Sequence, residues 1–303
     1  MESILDRLPV GARAAVIRLR SLGDCILTTP ALEILKRSRP DLRVAVVVED
    51  RFAGVFEGNP DVDAILPPRL SALRKWMPAL TLNLHGGPRS IAFTLASGAR
   101  LRAGFGHHRY NFAYNTPIPP PQRILGFTRR AHTVEHLASA VFYLGAAPCE
   151  IPRTKLFAQP NGENQAYAVL HPAASAADKT WPAAGFLAVA RHFEERWGLE
   201  PVFVGGVEDD LAAFRRYRVV AGAPLARLKT LMAGASAFVG NDSGPAHMAA
   251  AFGVPAVVIF GNSDLDLWRP WKAPAEVVAA PGPIADVPAD AVIRALDRLK
   301  VAA

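Results

Sequence analysis

An Asp, a Ser and a His fall within six residues of one another in the stretch GNDSGPAHMAAAFGVPAVVIFG, residues 240–261. Three chemistries use such a trio: hydrolysis through a serine nucleophile, metal ligation, and anion binding with no side-chain nucleophile. A hydrolase elbow reads G-x-S-x-G, and Asn241-Asp242-Ser243-Gly244-Pro245 does not. Metal binding needs more ligands than one Asp and one His. The third chemistry fits the local pattern, because AFVGND reads as a strand, SGP as a tight turn, and AHMAAAF as a helix closed by Gly253. Free backbone N–H groups and the positive end of the helix dipole then meet where Ser243 and Gly244 sit, which makes a cradle for phosphate. Ser243 adds a hydroxyl, and His247, one turn into the helix, a ring N–H. Helix capping by Asp242 or Ser243, with His247 as packing, would account for the same residues.

Three other stretches hold reactive side chains at strand ends. In RLRSLGDCILTTPAL (18–32), Gly23 permits a close turn and Asp24 stands at the entry to a helix. There it is either a cap or a carboxylate that takes a proton from an incoming hydroxyl. In LHPAASAADKTWP (170–182), Lys179 is a candidate cation for a diphosphate and Ser175 a hydroxyl donor, against the ordinary reading of a solvated loop lysine. In FVGGVEDD (203–210), a Gly pair lets a ligand approach, and Glu208 is placed to accept bonds from ribose hydroxyls. The pair is no G-x-G-x-x-G fingerprint, which weakens a nicotinamide reading.

The elements that position these residues alternate along the chain. Strand-like runs cover 14–19, 43–49, 63–67, 80–85 and 101–106, then 167–172, 201–206, 237–242, 256–261 and 276–280. Amphipathic segments at 30–37, 136–144, 183–197 and 225–234 lie between them. Runs apolar on both faces, alternating with helices, predict parallel sheets wrapped by helices. The pattern occurs twice, separated by the Pro-rich PCEIPRTKLFAQPNGEN (148–164). The expected architecture is two doubly wound α/β domains, 1–155 and 156–303, facing each other across a cleft, with ligands beyond the carboxyl ends of the strands.

Charge is distributed unevenly. Residues 1–150 hold 19 Lys and Arg against 12 Asp and Glu, whereas 151–303 hold 15 of each. Between 64 and 134 lie ten basic residues and no acidic one. Such a field concentrates anions, which favours an anionic partner over a merely solvated face. Nucleic acid is disfavoured, since no binding motif or aromatic platform accompanies the charge. The longest apolar run, 248–260, is too short to span a membrane and is broken by Gly253 and Pro255. No secretory signal is read at the N-terminus, and two cysteines suit a reducing compartment, so a cytoplasmic protein is expected.

Taken together, RSLGDCILTTPAL, HPAASAADKTWP, VGGVEDD and above all GNDSGPAHMAAAFGVPAVVIFGNSDLDLWRPW (240–271) resemble glycosyltransferase family 9, the ADP-heptose:lipopolysaccharide heptosyltransferases. LNLHGGPRS, ASGARLRAGFG and HTVEHLASAVFYLG resemble its acceptor-side segments, and the likeness runs in order over nearly the whole chain. The resemblance implies a GT-B fold, an acceptor domain followed by a nucleotide-sugar domain, and inverting transfer without a metal or other cofactor. It implies Asp24 as base on the acceptor hydroxyl and Lys179 at the leaving diphosphate. Ser175, Asp242, Ser243, Gly244 and His247 would surround the phosphates and sugar, Glu208 the ribose, and Asp264 would contribute from the last donor motif. Arg89, Arg102 and Arg109 are the candidate contacts to an anionic glycolipid or oligosaccharide, and a basic acceptor domain allows peripheral contact with anionic lipid at the inner membrane. The family commonly reads Gly-Pro-Thr-Asp-Pro where this chain has Gly261-Asn262-Ser263-Asp264-Leu265. A dehydrogenase or epimerase would want a dinucleotide fingerprint in the first strand-turn-helix, which has a single Gly. A non-catalytic sugar-nucleotide-binding protein would have no need of both Asp24 and Lys179.

Overall fold

A computed structural model of the 303-residue chain describes residues 3–160 and 165–302, with side chains up to residue 299. Residues 161–164 of the expected linker lie outside the described residues; the rest of it, from 148 to 160, has no regular structure. The chain divides into two compact units, Met1–Lys155 and Leu156–Ala303.

Each unit is built on a six-stranded sheet with every neighbouring pair parallel. The first holds β1 (Arg13–Ile17), β2 (Arg43–Val47), β3 (Ala64–Leu66), β4 (Leu80–Asn83), β5 (Leu101–Phe105) and β6 (Thr116–Ile118) in the order β3-β2-β1-β4-β5-β6. The second holds β7 (Tyr167–His171), β8 (Glu200–Gly205), β9 (Arg218–Ala221), β10 (Ala237–Asn241), β11 (Ala256–Phe260) and β12 (Ala275–Ala279) in the order β12-β11-β10-β7-β8-β9. Both are the same doubly wound order, and strand order reverses between β1 and β4 in one and between β7 and β10 in the other. These inner strands are buried on both faces, which is why their sequences are continuous apolar runs.

Among the described residues ten α-helices flank the sheets: α1 (Leu22–Ser38), α2 (Leu70–Trp76), α3 (Pro88–Ala96), α4 (Pro121–Leu125) and α5 (Thr133–Leu144) in the first unit, and α6 (Ala183–His192), α7 (Leu225–Ala233), α8 (Gly244–Phe252), α9 (Leu265–Trp268) and α10 (Ala289–Ala302) in the second. One side of the second sheet is sealed by Trp181, Phe186, Phe193, Phe203 and Phe214, with Phe203 stacked on Phe214 at 4.2 Å. Aromatic side chains of this size supply the most apolar burial per residue.

The structure differs from the sequence reading at three places. β6 and β9 form one edge of each sheet and carry weak patterns: β6 holds the exposed Pro117, which cannot donate to a ladder, and β9 is half exposed. The segment 210–225, which reads as a lean connection, contains β9. The first helix begins at Leu22, eight residues before the amphipathic segment, and continues through Pro30. Pro30 removes the amide that would bond the Ile26 carbonyl, and the Thr29 hydroxyl donates to that carbonyl instead, at 2.8 Å.

Candidate active site

In the second unit, four strand ends bring the donor-side residues to one edge of the sheet. β10 ends at Asn241, Asp242 follows, Ser243 is the extended N-cap of α8, and Pro245 occupies its first turn, where a proline is tolerated. The first amides of α8 have no intrahelical acceptor and point toward this edge together with the helix dipole. The Ser243 hydroxyl lies 3.2 Å from Nδ1 of His171, the last residue of β7. His171 is buried, and burial pushes its pKa down to about 4, so the ring is neutral at physiological pH. His247 is buried one turn into α8, and its amide donates to the Ser243 carbonyl at 3.4 Å. Gly253 closes the helix in the left-handed conformation expected of it.

The loop after β7 carries Ser175, exposed, and Lys179, half exposed at the end of a short 3₁₀ turn, Ala177–Lys179. Among the described residues Lys179 has no ion-pair partner. Asn241, fully buried, bonds both ends of this loop: its Oδ1 accepts from the Trp181 amide at 3.1 Å, and its Nδ2 donates to the carbonyls of Pro172 at 2.9 Å and Ala173 at 3.5 Å. Gly261 passes so close beneath the same loop that a Cβ there would lie 2.6 Å from the Asp178 carbonyl oxygen. After β8, Glu208 is exposed at a turn tied by Asp209, whose carboxylate accepts from the Gly206 amide at 2.6 Å. Asp264 is the N-cap of α9 and accepts from the Asp266 amide at 3.0 Å.

In the first unit, Asp24 sits in the first turn of α1. Its carboxylate accepts from the Ser21 amide at 3.1 Å, from the Ser21 hydroxyl at 3.0 Å, and from the guanidinium of Arg18, which is buried and also donates to the Leu84 carbonyl. A quarter of the Asp24 side chain stays accessible, 25 %. The Asn83 side chain shapes the next loop by accepting from the His85 and Gly86 amides. His85 is half-buried, and its pKa is lowered by burial and by the Arg18 charge. Gly86, in the left-handed region, lets the His108 ring approach where any Cβ would clash. His107, His108 and His136 gather with Phe105 at the end of β5, and burial pushes His108 down to about 4 and His136 to about 3. This wall is polar and uncharged at neutral pH.

The three acceptor-side arginines are placed differently from one another. Arg89, in the first turn of α3, pairs with Glu49 at 3.1 Å and remains largely exposed. Arg109 lies exposed over the Tyr110 ring. Arg102 braces the fold, donating to the Ala113 and Ala99 carbonyls at 3.1 and 3.3 Å.

One unit gathers a helix N-terminus, a serine hydroxyl and a lysine at its strand ends, and the other carries a carboxylate at the corresponding strand end; comparison with known proteins says what family uses them. The model of glycosyltransferase family 9 (heptosyltransferase) matches residues 73–286. The chain belongs to that family. It is 26% identical over 299 residues to lipopolysaccharide heptosyltransferase 3 of Escherichia coli, across 84% of this chain and 85% of that protein. Its fold matches the glycosyl transferase family 9 protein of Veillonella parvula with a TM-score of 0.82 at 21% identity, covering 96% of this chain and 98% of that one. It also matches the E. coli heptosyltransferase WaaC with ADP, with a TM-score of 0.79 at 20% identity over 95% and 100% of the two chains. The architecture is therefore the GT-B fold, and the chain is a family 9 glycosyltransferase.

Four side chains in the family 9 chain escaped the motif reading: Arg18, His85, His171 and Asn241. Each ends a strand or follows one; Arg18, His171 and Asn241 bond Leu84, Ser243 and the Pro172–Trp181 loop beside neighbouring strands, so their roles depend on strand neighbours that the linear sequence does not give. The polar residue closing an apolar strand, as in LTLN and AFVGN, is the signal that was available.

Proposed function

We propose that this family 9 chain transfers a sugar, heptose from ADP-heptose, to a hydroxyl of an anionic lipopolysaccharide-type glycan, with inversion and without a metal. Lys179 supports this reading most directly: among the described residues it is a cation without an ion-pair partner, on a loop that is hydrogen-bonded to the strand leading into the α8 N-terminus. In a single displacement the acceptor hydroxyl attacks the anomeric carbon as the nucleoside diphosphate departs, and negative charge grows on that diphosphate. Lys179, the α8 amides and the Ser243 hydroxyl supply positive charge and donors there, before the reaction begins. Ser175, Asp242 and His247 line the same edge, Glu208 is the partner for ribose hydroxyls, and Asp264 orders the α9 turn beside them.

Asp24 takes the proton of the attacking hydroxyl. Three donors fix its carboxylate, so its remaining lone pairs have a defined direction. The neutral imidazoles of the first unit offer hydrogen bonds to sugar hydroxyls, and Arg89 and Arg109 meet the carboxylates or phosphates of the acceptor. Family membership and the relatives' names support lipopolysaccharide as the setting, with the reaction in the cytoplasm beside the inner membrane. Among the described residues no helix is long and apolar enough to cross a membrane.

The test is a panel of nucleotide-sugars offered with a lipopolysaccharide inner-core acceptor, reading nucleoside diphosphate release and, by proton NMR, the anomeric configuration of the product. Turnover of ADP-heptose with an inverted anomeric centre is expected. Retention would reject the single displacement, and tight donor binding without turnover would make the chain a binding protein.

A further inference from the structure

The fourth strand of each sheet ends in an asparagine at the point where strand order reverses, and the two asparagines do different work. Asn83 acts within its own strand-turn-helix: Oδ1 accepts from the His85 and Gly86 amides at 3.0 and 3.1 Å, and Nδ2 donates to the Ser90 and Thr94 hydroxyls at 3.1 and 3.0 Å. Asn241 reaches instead to the loop of the neighbouring strand β7, bonding Pro172 and Ala173 at its start and Trp181 at its end. One fully buried side chain thus closes a ten-residue loop at both ends, while 175–178 in its middle stay exposed. Trp181 is fixed a second time by its indole N–H, which donates to the Val287 carbonyl at 2.9 Å. In sequence, Asn241 is followed at once by Asp242, Ser243 and the start of α8.

We infer that Asn241 is a positioning residue that joins the two phosphate-binding elements of the donor half-site, setting the Lys179 loop relative to the α8 N-terminus. The inference rests on the proposed reading that both elements hold a nucleoside diphosphate. A buried amide satisfied at both its oxygen and its nitrogen has a single orientation, so the loop ends cannot slide along β10 without breaking a bond. Displacement of a charged group by about 1 Å is enough to weaken its interaction with a bound diphosphate severalfold.

The test uses the full chain and ADP as the probe. ADP affinity is measured by calorimetry for wild type, Lys179→Ala, Asn241→Ala and the double variant, and amide hydrogen exchange is followed in each. Lys179→Ala is expected to weaken ADP about tenfold and Asn241→Ala about fivefold, whereas the double variant falls no more than about twofold below Lys179→Ala, because Asn241 acts through the Lys179 loop. Exchange in 173–181 should quicken at least about tenfold in Asn241→Ala while the core strands keep their protection. Multiplicative losses of affinity, or unchanged exchange in the loop, would overturn the inference. Should Asn241→Ala unfold, Asn241→Asp serves for both readouts: it keeps the acceptor for Trp181 and loses both donors to Pro172 and Ala173. If wild type binds no ADP, the donor reading itself fails, and the exchange data alone then decide whether Asn241 holds the loop.

Discussion

Asp24 is a structural residue through its bonds to Ser21 and Arg18 and, in the proposed mechanism, a chemical one as well. Asp24→Asn keeps one acceptor oxygen, enough for Ser21 or for Arg18 but not for both, and has no basic lone pair of comparable strength. The proposed mechanism predicts a fall in transfer rate of about 100-fold or more with ADP affinity unchanged, alongside a lower melting temperature because the buried Arg18 loses its counter-charge. Asp24→Ala is a poorer test, because it removes every acceptor of Ser21 and Arg18 as well as the counter-charge that Asp24→Asn also lacks. His171 gives a residue-scale prediction in pH. Burial holds its folded pKa near 4, below the ordinary 6.5, so the unfolded chain takes up a proton between those values that the folded chain refuses. Stability should therefore fall as pH drops from about 6.5 to about 4, by on the order of 3 kcal/mol from this group. Thermal melts of wild type and His171→Gln across that range check it: the variant's melting temperature should vary less with pH, whatever its value at pH 7. The placement of Asp24 and of the Asp242-Ser243-Gly244 turn at strand ends was legible because an apolar run stops there beside Gly or Ser, and Lys179 lies on the loop after such a run. His171 and Asn241 were not, because their partners stand up to 72 residues away in sequence and meet them only through β7–β10 pairing.

At the scale of elements, two local devices determine whether the site-bearing segments hold their shape. The Thr29 hydroxyl supplies the bond that Pro30 denies to Ile26, and its oxygen also accepts from the Lys155 amide at 3.0 Å. Thr29→Val has nearly the same volume and should cost about 1–3 kcal/mol by orphaning both groups, read as a lower denaturant midpoint at unchanged slope. Gly261 supports the Lys179 loop from below. Gly261→Ala should push the Asp178 backbone outward and weaken ADP binding about threefold or more, since a contact at 2.6 Å with a carbonyl oxygen cannot persist. Calorimetric titration with ADP checks this, and an unchanged affinity would show that the loop tolerates the displacement. The sequence pattern located the inner strands and the helices α5, α6 and α7 well because both-faces burial and helical periodicity are written in side-chain type. The edge strands β6 and β9 were missed for local reasons, since β6 is three residues centred on the exposed Pro117 and β9 is half exposed, whereas the opposite edges β3 and β12 were read from their apolar runs.

At the scale of the whole molecule, two units of the same topology differ in charge, and the proposed function divides the work between them accordingly. The excess of basic residues lies in the first 150, and the second half is balanced, so the proposed acceptor unit meets an anion through side chains while the donor unit meets one through a helix N-terminus and one lysine. Acceptor binding should then weaken steeply with salt, and ADP binding only mildly. The duplication was readable from the repeated strand and helix rhythm and from the Pro-rich joint, although the pairing of its edges was not. The central claim is that the second unit activates a nucleotide-sugar which the first unit's Asp24 allows an acceptor to attack. The most direct measurement is ADP release from ADP-heptose with and without an inner-core acceptor, for wild type and Asp24→Asn. The account predicts acceptor-dependent release by wild type and its loss by about 100-fold in the variant, at equal ADP affinity. Equal acceptor-dependent rates in the two proteins would contradict it.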